Sequence, residues 1–410
     1  MPSDDTGGST RADLARLVVS PAFLAVMFMT TLLPVSVVIS PSLPGMATAL
    51  GVSDARVGLV ITAITLPPML LAPVVGIAGD MFGRRTVAVP GLFLYGAAGV
   101  AISLAGTFPA VLGLRALQGL AMAGIAPLTV TLLGDMYEGS LGTTAQGMRM
   151  SAAGIALTVG PLVAGALAGL AWQYPFYLYG LSFLAMIAVY LYVPETAESI
   201  DDAPSLRGTL RQYTRSITDE IGDSRLLVVM VGGFMRFFGS FAFFTFVPIF
   251  AVRSLGTTPF VAGVVVALSG VRILLSPTAG WWVARFSRRW ALVGTVTVQL
   301  TVFALIPFVP NVLALAVLAV LFGVGDAIFD PLVNDGVTSM VAARNRNGVV
   351  GGLRVLKEGG KTAAPAVLGA VLALAGYTWL FLTVTAVLVV YSVAVAVLLS
   401  GVPAASTSEA

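Results

Sequence analysis

Cysteine and histidine are both absent from this 410-residue chain. Disulfide and thiolate chemistry are therefore excluded, a metal site would need oxygen ligands alone, and a proton relay would have to run through Asp, Glu or ordered water. Charge is scarce: 10% of the residues are Asp, Glu, Lys or Arg, against roughly 25% in soluble domains. Lysine is nearly missing, with Lys357 and Lys361 the two examples. No G-x-x-x-x-G-K-[ST] phosphate loop occurs, which excludes that route to ATP hydrolysis. Without histidine, cysteine or a nucleotide loop, no enzyme activity, cofactor, metal or nucleic-acid partner is expected. What is abundant is apolar: 58% of the residues are hydrophobic and the mean hydropathy is +0.97. A soluble fold of this size could not cover so much apolar surface, so the composition implies an all-α membrane protein that crosses the bilayer many times.

Apolar runs fall near 18–43, 57–78, 86–106, 109–133, 147–170, 174–194, 226–251, 258–283, 290–309, 311–333, 348–374 and 377–400. Each is close to the ~20 residues needed to span a membrane, giving twelve expected helices. Residues 1–17 read as a polar tail without the basic start and cleavage site of a signal peptide. Residues 18–194 form one six-helix half and 226–400 the other. Between them lies a charged connector, 195–225, and 401–410 is a second tail. With the N-terminus inside, the internal segments hold thirteen arginines and the external loops only Arg56 and Arg253. That asymmetry predicts a multi-pass cell-membrane protein with both termini cytoplasmic.

The halves repeat each other. At an offset of 204, Gly76 meets Gly280, Arg84-Arg85 meet Arg288-Arg289, Pro161 meets Pro365 and Gly165 meets Gly369. Matched prolines, glycines and paired arginines at one spacing imply a duplication. Two such halves with a midplane site between them is a common build for secondary transporters.

The turn Gly76-Ile77-Ala78-Gly79-Asp80-Met81-Phe82-Gly83-Arg84-Arg85 resembles the loop 2–3 signature of the major facilitator superfamily, G-x-x-x-D-R-x-G-R-R, with Met81 in place of the first arginine. Its second copy keeps Arg285, Arg288 and Arg289 but has Ala284 for the aspartate and Ser287 for the glycine. The resemblance extends over nearly the whole chain and implies twelve membrane helices in two pseudo-symmetric bundles. Three further stretches resemble the drug:proton antiporter branch. They are Pro41-Ser42-Leu43-Pro44, Arg115-Ala116-Leu117-Gln118-Gly119, and Gly160-Pro161-Leu162-Val163-Ala164-Gly165, the last with Ala164 where that branch has glycine. The resemblance implies proton coupling through Arg115, and a segment at Gly160, Pro161 and Gly165 that seals one end of the cavity.

The residues themselves allow a physical reading beside that one. Asp80 is expected just past the second helix, where a carboxylate can accept from a helix N-terminus or an arginine fork. With Gly76, Gly83, Arg84 and Arg85, and with Arg285, Arg288 and Arg289 in the second copy, it would form a latch for the outward-open state. Positive-inside anchoring accounts equally for the arginines. Arg115 falls about two turns into the fourth helix, deep enough to mark function unless it snorkels outward. Gln118 shares its face.

The second half carries Arg236, Arg272, Asp326 and Asp330, then Arg354, Lys357, Glu358 and Lys361 spaced as i, i+3, i+4, i+7 on one helix face. Lipid would not accept that stripe, so it is expected to line the cavity or the seam between halves. Asp326, Asp330 and Glu358 are the candidate proton sites. Arg236, Arg272, Arg354, Lys357 and Lys361 are the candidate cavity cations. The phenylalanines of the seventh run could line a pocket or belong to the core. Two functions stay open: a proton-coupled exporter of small amphipathic or lipophilic compounds working by alternating access, and a carrier of small organic anions held by the cations. A sensor on a transporter fold is a third class, without any appended signalling domain to support it. The partners expected are a small-molecule substrate, protons or sodium, and the bilayer, with the chain acting as a monomer.

Overall fold

The computed structural model describes residues 17–34, 38–195, 223–285, 287–341 and 345–400, apart from the side chains of 72–82, 279, 283, 284 and 347. Both tails and residues 196–222 of the connector lie outside the described residues, with the arginines they carry. All the regular structure among the described residues is helical.

In the first half, α1 comes in two pieces, Pro21–Leu32 and Leu43–Ala49. It is followed by a short turn of helix, Asp54–Val57, and then α2 (Leu59–Phe82), α3 (Arg84–Ile102), α4 (Phe108–Met136), α5 (Gly139–Leu170) and α6 (a 3₁₀ entry Tyr174–Gly180 continuing as Leu181–Tyr192). The second half has α7 (Ser224–Ser254), α8 in pieces from Pro259–Leu268 to Ala279–Arg285, α9 (Arg288–Leu305) and α10 (Val312–Met340). The final stretch, Arg346–Leu398, is broken at Gly376, whose φ of +80° ends α11 and lets α12 begin.

Among the described residues ten helices are long and apolar enough to cross a membrane; with α1 counted as one further span and the stretch broken at Gly376 as two, twelve spans stand where twelve were expected, with different bounds. α4, α5, α7 and α10 run on through polar residues at their ends, because a helix protruding beyond the apolar layer still satisfies its own backbone hydrogen bonds. Several ends are fixed by local chemistry. Thr107, Thr258 and Asn311 accept from Ala110, Val261 and Ala314 as N-caps, and Pro109 and Pro259 follow two of them.

Within the first half α4 packs on α2 and α3, and α6 on α1 and α3. Within the second half α9 packs on α10, and α7 on α10 and the α11–α12 stretch. The halves meet where α5 crosses α8 and α2 crosses α11. Phe243 stacks on Phe322 with ring centroids 4.2 Å apart, which places part of the aromatic stretch of α7 in the core.

Candidate functional site

One end of the seam between halves is closed. Arg253, at the end of α7, donates from Nε to both oxygens of Asp54 at 3.1 and 3.2 Å, and from Nη2 to the Pro44 carbonyl and the Thr48 hydroxyl. Tyr377, at the start of α12, donates to the same Asp54 at 3.0 Å. Just below, Gly165 and Gly263 bring α5 and α8 into backbone contact, since a Cβ on Gly263 would lie 2.2 Å from the Pro161 carbonyl oxygen. At the duplicate crossing, a Cβ on Gly369 of α11 would fall 2.5 Å from the carbonyl oxygen of Ala55, in the short helical turn that precedes α2. The Thr62 hydroxyl donates to the Thr362 carbonyl at 3.2 Å in the same seam.

Below this closed end, between the halves, is a cavity of about 370 Å³. Its two walls differ. The first half contributes Leu33, Thr65, Met122, Pro127 and Leu157, among others, and no charged side chain among the described residues. The second half contributes Arg236, Arg272, Asp330, Arg354, Glu358 and Lys361, with Phe237, Phe241 and Phe244 of α7 between them.

The charges of this wall are paired in sequence along the cavity. Asp326 is fully enclosed behind it. Its Oδ2 accepts from Arg236 and from Arg272, each at 2.9 Å, and its Oδ1 from the Ser240 hydroxyl at 3.0 Å. Asp330, one turn further on α10, pairs with Lys357 at 2.8 Å, and Asn334 donates to its other oxygen. Lys357 also donates to Asn334 at 2.8 Å. Glu358 pairs with Lys361 at 2.6 Å. Arg354 makes no ion pair among the described residues and is exposed on the cavity wall.

The four charges of α11 all lie inside the helix, as their spacing predicts, but they divide. Arg354, Glu358 and Lys361 face the cavity, whereas Lys357 turns toward α10 and is not in the lining. Asp326 is likewise behind the lining, a counter-charge that holds the two arginines in place.

The Major Facilitator Superfamily family model matches residues 19–271 and 229–410. The chain belongs to that superfamily. It is thus a multi-pass membrane transporter and not an enzyme. The transporter is 33% identical over 104 residues to the bacillibactin exporter of Bacillus subtilis, covering 24% of this chain and 26% of that protein. It is 29% identical over 178 residues to the multidrug transporter MdfA of Edwardsiella ictaluri, covering 43% of each. The matched stretches thus span under half the length of these curated relatives. Among solved structures, a mutant of the nucleoside transporter NupG superposes with a TM-score of 0.80 at 15% identity, over 92% of this chain and 100% of that one. A bacterial homologue of the human lysosomal transporter Spinster, in an inward-facing and unoccupied conformation, gives 0.73 at 15%, over 92% and 95%.

Arg115 of this transporter is fully buried and does not snorkel. Its Nη1 donates to Gln118 at 3.0 Å and to the Tyr179 hydroxyl at 2.7 Å, and its guanidinium lies over the rings of Phe176 and Tyr179. Nε and Nη2 are buried without hydrogen-bond partners among the described residues. Arg115 and Gln118 therefore sit among α3, α4 and α6, apart from the acidic cluster of the second half.

The signature turn is more compact than expected. α2 continues to Phe82, so Asp80 lies within its last turn rather than past it. The side chains of Gly76–Phe82 are outside the described residues, which leaves the proposed Asp80 contact undescribed. Gly83, at φ +93°, is the whole junction to α3. Arg84 pairs with Asp135 at the end of α4, and Arg85 donates to the Val193 carbonyl at 3.4 Å. In the duplicate, Arg288 pairs with Asp335 at 2.6 Å, Arg289 lies over Trp290, and Arg285 is exposed.

Sequence reasoning missed Asp135, Asp335, Asp54 and Tyr377. It also missed Glu195, which reaches back from the end of α6 to cap α3. The N–H of Arg85 donates to one of its oxygens at 3.1 Å, and the N–H and hydroxyl of Thr86 to the other at 3.0 Å. Burial works against ionisation of Glu195, but these donors hold its carboxyl below the ordinary value. In the second copy, arginines without a nearby carboxylate were the available signal for Asp335; in the first, Asp80 stood nearest in the sequence and nothing pointed to Asp135 or Glu195.

Proposed function

We propose that this transporter is a proton-coupled exporter of small amphipathic or lipophilic compounds, working by alternating access with both termini in the cytoplasm. The carrying observation is the pair of acid–lysine contacts, Glu358–Lys361 and Asp330–Lys357, set in the charged wall of a cavity whose opposite wall is apolar. A carboxylate paired with a lysine at the cavity edge can take up a proton where the released lysine has another place to go, Lys357 to Asn334 and Lys361 to the cavity. The names of the similar proteins, an exporter and multidrug transporters, support the direction and the breadth of substrate. With the termini inside, the closed end formed by Asp54, Arg253 and Tyr377 faces outward and the cavity belongs to the inward-facing state.

Purified protein in liposomes with a trapped pH-sensitive dye tests this. Amphipathic compounds added across an imposed pH gradient should move protons, and Glu358→Gln or Asp330→Asn should abolish the response. Substrate movement that persists without a pH gradient and follows sodium instead would overturn the coupling.

A further inference from the structure

The cavity wall holds more positive charge than its own carboxylates neutralise. Asp326 answers one of the two guanidiniums of Arg236 and Arg272. Asp330 answers Lys357, and Glu358 answers Lys361. Arg354 is answered by nothing among the described residues, so two positive charges are in excess. The first-half wall supplies no carboxylate among the described residues to offset them.

The aromatic rings of the cavity point the same way. A lipophilic cation would be held by ring faces and free carboxylates. Here the protein's own cations lie over two of the three lining rings, Phe237 and Phe244, and among the described residues leave Phe241 without one. Arg236 lies 4.2 Å and Lys361 4.7 Å from the centroid of Phe237, and Arg272 lies 5.4 Å from that of Phe244. The carboxylates are likewise committed to arginine or lysine. A cationic guest would have to displace an internal cation at every one of these positions and would leave it unpaired, which is costly.

We propose that the substrate of this cavity is an amphipathic organic anion, its acidic head held by Arg354 and the Arg236–Arg272 pair and its apolar body lying against Leu33, Met122, Pro127 and Leu157. This rests on the cavity being the substrate site, and it narrows the broad substrate range of the export reading to one charge class. A planar carboxylate or sulfonate matches the guanidinium fork of Arg354, which has no competing partner among the described residues. A volume of about 370 Å³ lies at the small end of drug-sized pockets and suits an apolar body of one or two fused rings.

The test is equilibrium binding to the detergent-purified full chain, with no gradient present. The probes share one apolar body: 1-naphthylacetate, 1-naphthylmethanol and 1-naphthylmethylammonium. The expected result is that the anion binds at least about tenfold more tightly than the cation, with the alcohol between them. Arg354→Gln should remove most of that preference, and Arg354→Lys should retain it. Equal or tighter binding of the cation, or an anion preference that Arg354→Gln leaves intact, overturns the proposal. Because binding is read without transport, an absence of proton movement in liposomes would count against the export reading alone. Cation-driven proton movement together with cation-preferring binding would sink the anion proposal and leave export standing.

Discussion

Gly165 of α5 and Gly263 of α8 touch through their backbones, and the contact joins the two halves of the transporter directly beneath its closed end. Neither residue has room for a side chain. A Cβ at Gly165 would lie 2.7 Å from the Pro259 carbonyl oxygen, and one at Gly263 would lie 2.2 Å from that of Pro161. Both obstacles are backbone, so the helices themselves would have to separate. Gly263→Val should therefore disfavour this closed state while leaving each half folded. The natural absence of cysteine makes the measurement direct: a single cysteine at Ala126 on the cavity wall reports which face a thiol reagent can reach. Labelling from the face bearing the termini should fall at least about tenfold, and labelling from the opposite face should rise. Gly280→Ala is the control, because nothing lies within 4 Å of a Cβ there. The wild-type pattern in Gly263→Val would show that the crossing does not decide the conformation.

The Asp54–Arg253 pair and Tyr377 should matter less. Arg253 is 36% exposed at its side chain, and solvent-exposed ion pairs contribute only about 0.2–1 kcal/mol. Asp54→Asn should shift the same cysteine labelling toward the opposite face by no more than about fivefold, and more at low salt than at high salt. A complete loss of the closed state would mean that this cluster, rather than the glycine crossings, holds the end shut.

Glu195 should make a small, acid-sensitive contribution to stability. Its folded value lies below the ordinary 4.5. The stabilisation is therefore fully present above about 4.5 and is lost as pH falls through the lowered folded value. Because the group is exposed, the effect should sit near the low end for a helix cap, about 0.5 kcal/mol. Glu195→Gln should lower the thermal midpoint slightly at pH 7 and by less in acid below about pH 4.5. Equal losses at both values would show that Glu195 acts by packing rather than by charge.

The span count and the pseudo-repeat were legible in the sequence, because long apolar runs and paired prolines report membrane helices and their duplication directly. The charged stripe of α11 was legible from its spacing, but which member turned away was not. Lys357 leaves the cavity because Asp330 and Asn334 on α10 accept it, and that depends on how two helices rotate against each other. The partners of the signature arginines were hidden for the same reason. Asp135 and Glu195 are far from Arg84 and Arg85 in the chain and reach them only through packing of α4 and α6 on α3. Pro161 and Gly165 stood out in the sequence, yet their contact with Gly263 needed the crossing of α5 and α8.

The three candidate proton sites separate by the same geometry. Asp326 is fully enclosed and balances two arginines, so Asp326→Asn leaves both guanidiniums buried without a counter-charge. Breaking a buried pair in this way costs about 3–5 kcal/mol, and thermal unfolding in detergent should show a large drop in midpoint. Asp330→Asn and Glu358→Gln leave lysines that keep another partner or face the cavity: Lys357 retains Asn334, and Lys361 borders the open space. These two variants should fold with nearly unchanged midpoints and lose proton movement in liposomes. If Asp326→Asn instead retained its thermal midpoint and alone abolished proton movement, the proton would ride on Asp326, and the arginine pair would have to move with each cycle.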